Sequence, residues 1–290
     1  NAQWSARLDG ATKPPPAKAV EWPAEWPSRR APPAAVEPVT NAGCSLPLSE
    51  SVEAIPNGRA AGLSDYCATV VQKAGADFAG PMYVVDLGAA ERLLEAWRIA
   101  FPRIEPRYAV KCFPDAHLIK ALSDQGCGFD CASEKEARLA LDAGCPPSRI
   151  VFANPCKLPA DVAFLHASGI SLTTFDSVDE LDKLRATNCR VLLRIRADDS
   201  ASRLPFGAKY GCLEGEIANL IEACADRSIR LCGVAFHVGS GARSPKAFAD
   251  AVAASKRVFD LYTRLRPHSQ PLDVLDVGGG FCGGFDDDGN

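Results

Sequence analysis

From residue 107 onward the chain alternates between short apolar runs suited to strands and longer stretches with helical periodicity, and this alternation constrains its fold more than any other feature. Strand-like runs lie at Tyr108 to Cys112, Gly128 to Cys131, Ile150 to Ala153, Ser171 to Phe175, Val191 to Ile195, Leu231 to His237 and Leu272 to Val277. Strand and helix in turn predict a parallel sheet covered by helices. The repeat is about 20 residues through four units and about 40 at two later ones. That spacing suits a (β/α)8 TIM-like barrel better than an open doubly wound sheet. An earlier strand-like run, Tyr83 to Leu87, falls outside the barrel. Ser133 with Glu136 three residues later forms a capping box that opens a helix over Glu134 to Leu141, and Gly144 with Pro146 is the matching stop. Ser244 and Pro245 open another helix, whose apolar face runs through Phe248, Ala251, Val252, Val258, Phe259 and Tyr262.

Barrels carry their chemistry at the C-terminal ends of the strands, and the polar residues Lys111, Asp130, Arg194, His237 and Gly278 to Gly280 fall there. Burying a lysine, an aspartate and an arginine without function is costly, so their convergence favours a site. A desolvated lysine loses its proton more easily, and the freed amine can attack an aldehyde. The same lysine also fits an edge strand facing solvent. His237 ends an apolar strand and reads equally as a core histidine. The Val-Gly-Ser-Gly after it offers amides and the Ser240 hydroxyl to an anion. Gly278-Gly279-Gly280 follows the seventh strand, where barrels often hold phosphate.

The 290 residues, 47% hydrophobic and 23% charged, are ordinary for a soluble globular protein. A net charge of -4 argues against a nucleic-acid partner, and no apolar run approaches the roughly 18 to 20 residues of a membrane helix. Twelve cysteines lack the paired spacings of zinc sites and read as reduced, buried thiols; no metal site is assigned, Cys127 and Cys131 included. Residues 1–60 hold ten of the 22 prolines and read as low-complexity and disordered. They carry neither a signal-peptide core nor the composition of a transit peptide, so a cytoplasmic address is expected.

Five strings occur in order: Tyr108-Ala-Val-Lys-Cys112, Gly126-Cys-Gly-Phe-Asp-Cys-Ala-Ser133, Phe152-Ala-Asn-Pro-Cys-Lys157, Phe236-His-Val-Gly-Ser-Gly241 and Leu275-Asp-Val-Gly-Gly-Gly-Phe281. Together, over roughly residues 80–283, they resemble the eukaryotic ornithine decarboxylases. The resemblance implies a lyase that uses pyridoxal 5'-phosphate to convert ornithine to putrescine in polyamine biosynthesis. It further implies a homodimer and possible regulation by an antizyme-type protein. Lys111 would carry the cofactor, His237 would stack on its ring, and Ser240 with Gly278, Gly279 and Gly280 would hold its phosphate. Asp130 and Arg194 would orient charge around it. Lys209 matches a family lysine whose pairing is structural. Glu136 also matches, although capping explains it. Phe113 departs from the asparagine usual in the family.

The expected organisation is a low-complexity segment at 1–60, a strand and helix leading into the barrel at 61–106, a seven-stranded cofactor-binding barrel at 107–283, and a loop at 284–290. An eighth strand and a C-terminal β-domain are expected to be missing, so that the chain reads as an inactive fragment. Two other readings stay open. One is a noncatalytic binding protein of the antizyme-inhibitor type, against which Asp130 and Arg194 argue. The other is a diaminopimelate or arginine decarboxylase of the same fold.

Overall fold

A computed structural model describes residues 60–75, 84–206 and 209–281. Seven strands form one all-parallel sheet in the order β1 (Arg107–Ala109), β2 (Gly128–Cys131), β3 (Ile150–Phe152), β4 (Leu172–Phe175), β5 (Arg190–Arg194), β7 (Arg230–Ala235) and β9 (Val274–Asp276). These are the seven barrel strands expected from the sequence, and the sheet curls into an incomplete barrel. Among the described residues, β1 and β9 each pair on one side only.

Helices join successive strands. They are α3 (Ala116–Asp124), α4 (Glu134–Asp142), α5 (Pro159–Ser168), α6 (Val178–Leu184), α7 (Ile217–Asp226) and α8 (Pro245–Leu265); α1 (Ala60–Ala74) and α2 (Leu87–Ala100) precede β1. Period-two side chains divide the core into two layers. Phe129, Ile150, Phe152, Phe175, Val191, Leu193 and Val234 face the helices, while Val151, Leu172, Leu192, Cys232 and Ala235 make a separate inner cluster. Where β5 meets β7 the register shifts between Val191 and Leu192, so that Leu192 lies opposite Gly233.

Helix ends follow the sequence signals. Ser133 Oγ accepts from the Glu136 amide, while the Glu136 carboxylate reaches Ala132 N at 2.8 Å, one residue before the cap itself. At the other end Gly144 is left-handed, and Gly144 N and Cys145 N donate to Leu141 O and Ala140 O, closing the helix as a Schellman turn. On α8 the buried stripe is Ala247, Ala251, Ser255, Val258 and Tyr262, with Phe248, Val252 and Phe259 only partly covered.

Three expectations need correction. Of the strand expected at Tyr83 to Leu87, Tyr83 lies outside the described residues, 84–86 form no strand, and Leu87 already opens α2. The Asp86 side chain accepts from Ala89 N at 2.9 Å, so its carboxylate caps a helix. The second concerns β6 (Ser202–Leu204) and β8 (Ser240–Ala242), an unforeseen antiparallel ribbon that pairs Ser202 with Ala242 and Leu204 with Ser240. The third concerns the thiols: most described cysteines are buried, but Cys112 and Cys156 are exposed. Apart from Ala60, the segment 1–60 lies outside the described residues, as does 284–290.

Candidate active site

Inward-facing positions at the strand ends build the site. Asp130 lies opposite Ala109, and Arg194, Ala235 and Asp276 occupy one row across β5, β7 and β9. Alanine is small, so the charged side chains on either side of it have room to reach into the mouth.

Lys111 is not at the end of a strand. β1 stops at Ala109, and Val110–Cys112 forms a 3-10 turn in which Val110 is fully buried. The Tyr108 hydroxyl pins this turn by donating to Phe113 O at 3.1 Å. Lys111 Nζ then stands 4.0 Å from Asp130 Oδ1, with the lysine side chain 54% exposed. The expected desolvation is therefore absent at this residue, because the turn carries it past the last row of packed strand residues.

Asp130 is the more confined partner. Its Oδ1 is buried without a hydrogen bond among the described residues. Burial pushes its pKa up to about 6 from 3.8; Lys111 opposes the shift, Asp276 and Glu136 reinforce it, and Arg194 opposes it. Glu136 thus caps α4 and also adds negative charge beside the site.

Arg194 lies over the Tyr210 ring, with Cζ 4.7 Å from the centroid. Lys209 Nζ lies 5.0 Å from the same centroid. The neighbouring loop is tied down by Gly211 N, which donates to Asp176 Oδ2 at 2.8 Å.

His237 follows β7 by two residues, and its Nδ1 accepts from Gly239 N at 3.1 Å. That bond places the proton of the neutral ring on Nε2. Burial, then the positive charges of Arg194 and Lys111, push the pKa down to about 4. The imidazole is neutral at physiological pH. Phe206 meets it edge-on at 4.8 Å.

Gly278, with φ +63, begins the glycine run two residues after β9. A Cβ there would lie 2.1 Å from Phe236 O, and one on Gly279 would lie 2.8 Å from His237 Nε2. Only glycine fits at 278, and a side chain at 279 would displace the His237 ring. Ser240 opens β8 and is not in a free loop; two residues on, Ala242 N donates to Gly280 O at 2.9 Å and joins the ribbon to the glycine run.

The structure thus sets Lys111 and Arg194 within electrostatic reach of both Asp130 and His237, places Gly279 against the His237 ring, and sets Gly280 against the strand that Ser240 opens. Asp276, Asp176 and Tyr210 were not foreseen. Asp276 had a readable signal: it sits two residues after the inward-facing Val274, at the end of a strand. The donor set fits pyridoxal phosphate. A neutral imidazole can face an aromatic ring, an amine stands beside a carboxylate with an unused oxygen, and no side chain can intrude on the glycine run.

A family model described as pyridoxal-dependent decarboxylase, pyridoxal binding domain, matches residues 87–290. The chain is 40% identical over 261 residues to the chloroplastic ornithine decarboxylase of Nicotiana glauca, covering 87% of this chain and 60% of that one. It is 42% identical to the ornithine decarboxylase of Schizosaccharomyces pombe over 69% of this chain and 46% of that one. The chain therefore spans about half to three-fifths of these relatives' length. Among solved structures, the arginine decarboxylase of Paramecium bursaria Chlorella virus superposes with a TM-score of 0.72 at 36% identity, covering 77% of this chain and 60% of that one. The ornithine decarboxylase of Entamoeba histolytica gives 0.67 at 28%, covering 76% and 61%.

Proposed function

The chain belongs to the pyridoxal-dependent decarboxylase family, and from that premise we propose that the whole protein converts L-ornithine to putrescine and carbon dioxide with pyridoxal 5'-phosphate as cofactor. When bound, this group supplies an electron sink for the pair left behind as the carboxylate departs. Lys111 Nζ is the amine that would hold it covalently. Asp130, 4.0 Å away, holds that amine at the inner side of the mouth through their opposite charges. His237, neutral and fixed by Gly239, would face the ring without adding positive charge. Ser240 and Gly278 to Gly280 hold the phosphate through a hydroxyl and backbone amides. Arg194, braced on Tyr210, orients negative charge in the mouth.

The observation that carries this reading is the Lys111–Asp130 pair in the same mouth as a neutral His237 packed on Gly279. An aspartate at 130 and an arginine at 194 favour catalysis over a noncatalytic binding protein that engages an antizyme-type regulator. The ornithine relatives support the substrate, and a cytoplasmic homodimer is the assembly we assign. Likeness to the viral arginine decarboxylase favours arginine as the second substrate to compare.

The test uses protein expressed from the complete reading frame. Bound cofactor should give a visible absorption band that Lys111→Ala removes, and carbon dioxide release should be fastest with ornithine among ornithine, lysine, arginine and diaminopimelate. A band that survives in Lys111→Ala overturns the role of Lys111. Faster release from another of these amino acids overturns the substrate.

A further inference from the structure

We infer that Asp276 is a positioning residue, whose side chain sets the backbone of Gly278 to Gly280 in the conformation that receives a phosphate group. This rests on the proposal that the glycine run holds the cofactor's phosphate. Asp276 is the last residue of β9, and its two acceptor groups grip the chain on either side. Its backbone oxygen accepts from Phe236 N at 3.0 Å, which fixes the end of β9 to the end of β7 next to His237. Its side-chain Oδ1 accepts from Gly278 N at 2.8 Å, closing a turn onto the first residue of the run.

The turn needs that clasp because its first glycine is left-handed and tightly fitted, with the Phe236 carbonyl where a side chain would stand. At the far end Gly280 O is held by Ala242 N. The run is therefore anchored at both ends, and only the near anchor is a side chain. A carboxylate would ordinarily repel a neighbouring phosphate. Here burial pushes the Asp276 pKa up, toward the uncharged acid, while the Gly278 amide, Arg107, Arg194 and Lys111 oppose that shift, and its first acceptor is committed to the protein's own amide. What the site requires of residue 276 is thus an acceptor at the reach of Oδ1, and an asparagine oxygen meets that requirement.

The readout is the ratio of affinities for pyridoxal 5'-phosphate and for pyridoxal, which lacks the phosphate, measured by quenching of tryptophan fluorescence in protein from the complete reading frame. Loss of a hydrogen bond that positions an anion site should lower this ratio roughly tenfold to a hundredfold in Asp276→Ala. Asp276→Asn should keep it within about threefold of the original. A merely structural role would weaken both ligands equally and leave the ratio alone. Asp276→Val fits a strand and offers no acceptor to the Gly278 amide; it should behave as alanine does, and it serves if the alanine protein does not fold. An unchanged ratio in either folded variant overturns the inference, and so does an equal loss in Asp276→Asn. If the unsubstituted protein binds both ligands equally, the phosphate reading itself falls.

Discussion

Glu180→Ala should be among the most destabilising single substitutions in the described barrel. Glu180 sits on α6 with its side chain 2% exposed, and it faces Lys157, whose side chain is fully buried. Its Oε1 lies 2.8 Å from Lys157 Nζ and accepts from Lys157 N at 3.0 Å, while Oε2 pairs with Lys183. Lys157 Nζ also donates to Asn154 O at 2.9 Å and Thr174 O at 2.8 Å, tying the ends of β3 and β4 together. Without the carboxylate, the ammonium keeps two carbonyls but no opposite charge. Breaking a buried pair in this way costs about 3–5 kcal/mol. Lys183→Ala removes a partner that is 35% exposed, and should cost about 1 kcal/mol at most. Replacing both buried partners, as in Lys157→Met with Glu180→Leu, should recover only part of the loss, because the Lys157 amide and the Asn154 and Thr174 carbonyls lose these partners. The sign of the pH dependence follows from Lys157, whose pKa burial already lowers below 10.5 and which loses in the variant the carboxylate that raises it. The unfolded chain then binds a proton that the folded chain does not, so stability of the variant rises with pH from the depressed folded value up to about 10.5. Urea denaturation reads the effect as a midpoint shift of more than about 1 M at neutral pH. A loss under about 1 kcal/mol, or an equal loss in Lys183→Ala, would refute the reasoning.

Ser228 closes α7 in a left-handed conformation with φ 55, its amide bonded to Ala225 O. Ser228→Gly should relieve that strain and add ~0.5–1 kcal/mol, seen as a melting temperature higher by about 1–4 °C; a lower one contradicts it. The pKa of Asp130, near 6 in the fold against 3.8 ordinarily, means that the folded chain holds the extra proton. Its contribution to stability is present below about 3.8 and lost as pH rises through 6. At ~1.4 kcal/mol per unit, reduced for 23% exposure, cofactor-free protein should lose ~2 kcal/mol across this window relative to Asp130→Asn. Parallel stability curves for the two proteins would exclude the shift. Nitrogen NMR should find His237 neutral and protonated on Nε2 at pH 6, with a midpoint near 4 in cofactor-free protein. A midpoint near 6.5 would place the ring in solvent.

The barrel strands were legible because the inner ones, β2 to β5 and β7, are largely apolar runs buried on both faces, and such runs need no partner to be recognised; β1 and β9, at the sheet's edges, are half-buried. β6 and β8 gave no such signal. Ser202-Arg-Leu204 and Ser240-Gly-Ala242 are polar or small, and they become strands only because the loops after β5 and β7 meet above the sheet. Val84 to Asp86 misled in the opposite direction, since an apolar run beside Asp86 served as the lead-in to a capped helix. Lys157 read as one residue of a Pro-Cys-Lys loop, and nothing local pointed to Glu180, 23 positions away on another element. Lys111, Asp130, Arg194 and His237 were found because motif order marked them, whereas Asp276, although at the end of a strand, was passed over in favour of the glycine run that follows it.

The row Arg194–Ala235–Asp276 shows why this mouth can carry opposite charges without collapsing into a closed ion pair. Neighbouring strands lie about 4.8 Å apart, so residues two strands apart begin roughly 10 Å from each other. The alanine between them leaves that gap open at the level of the side chains. Each charge then takes a local partner, Arg194 the Tyr210 ring and Asp276 the Gly278 amide. They act on each other through space while both remain turned to the mouth. Asp130 repeats the arrangement beside Ala109, with Lys111 at 4.0 Å. Burial of the Asp130 carboxylate costs stability where it is charged, and its pKa, pushed up to about 6, reflects that burial first.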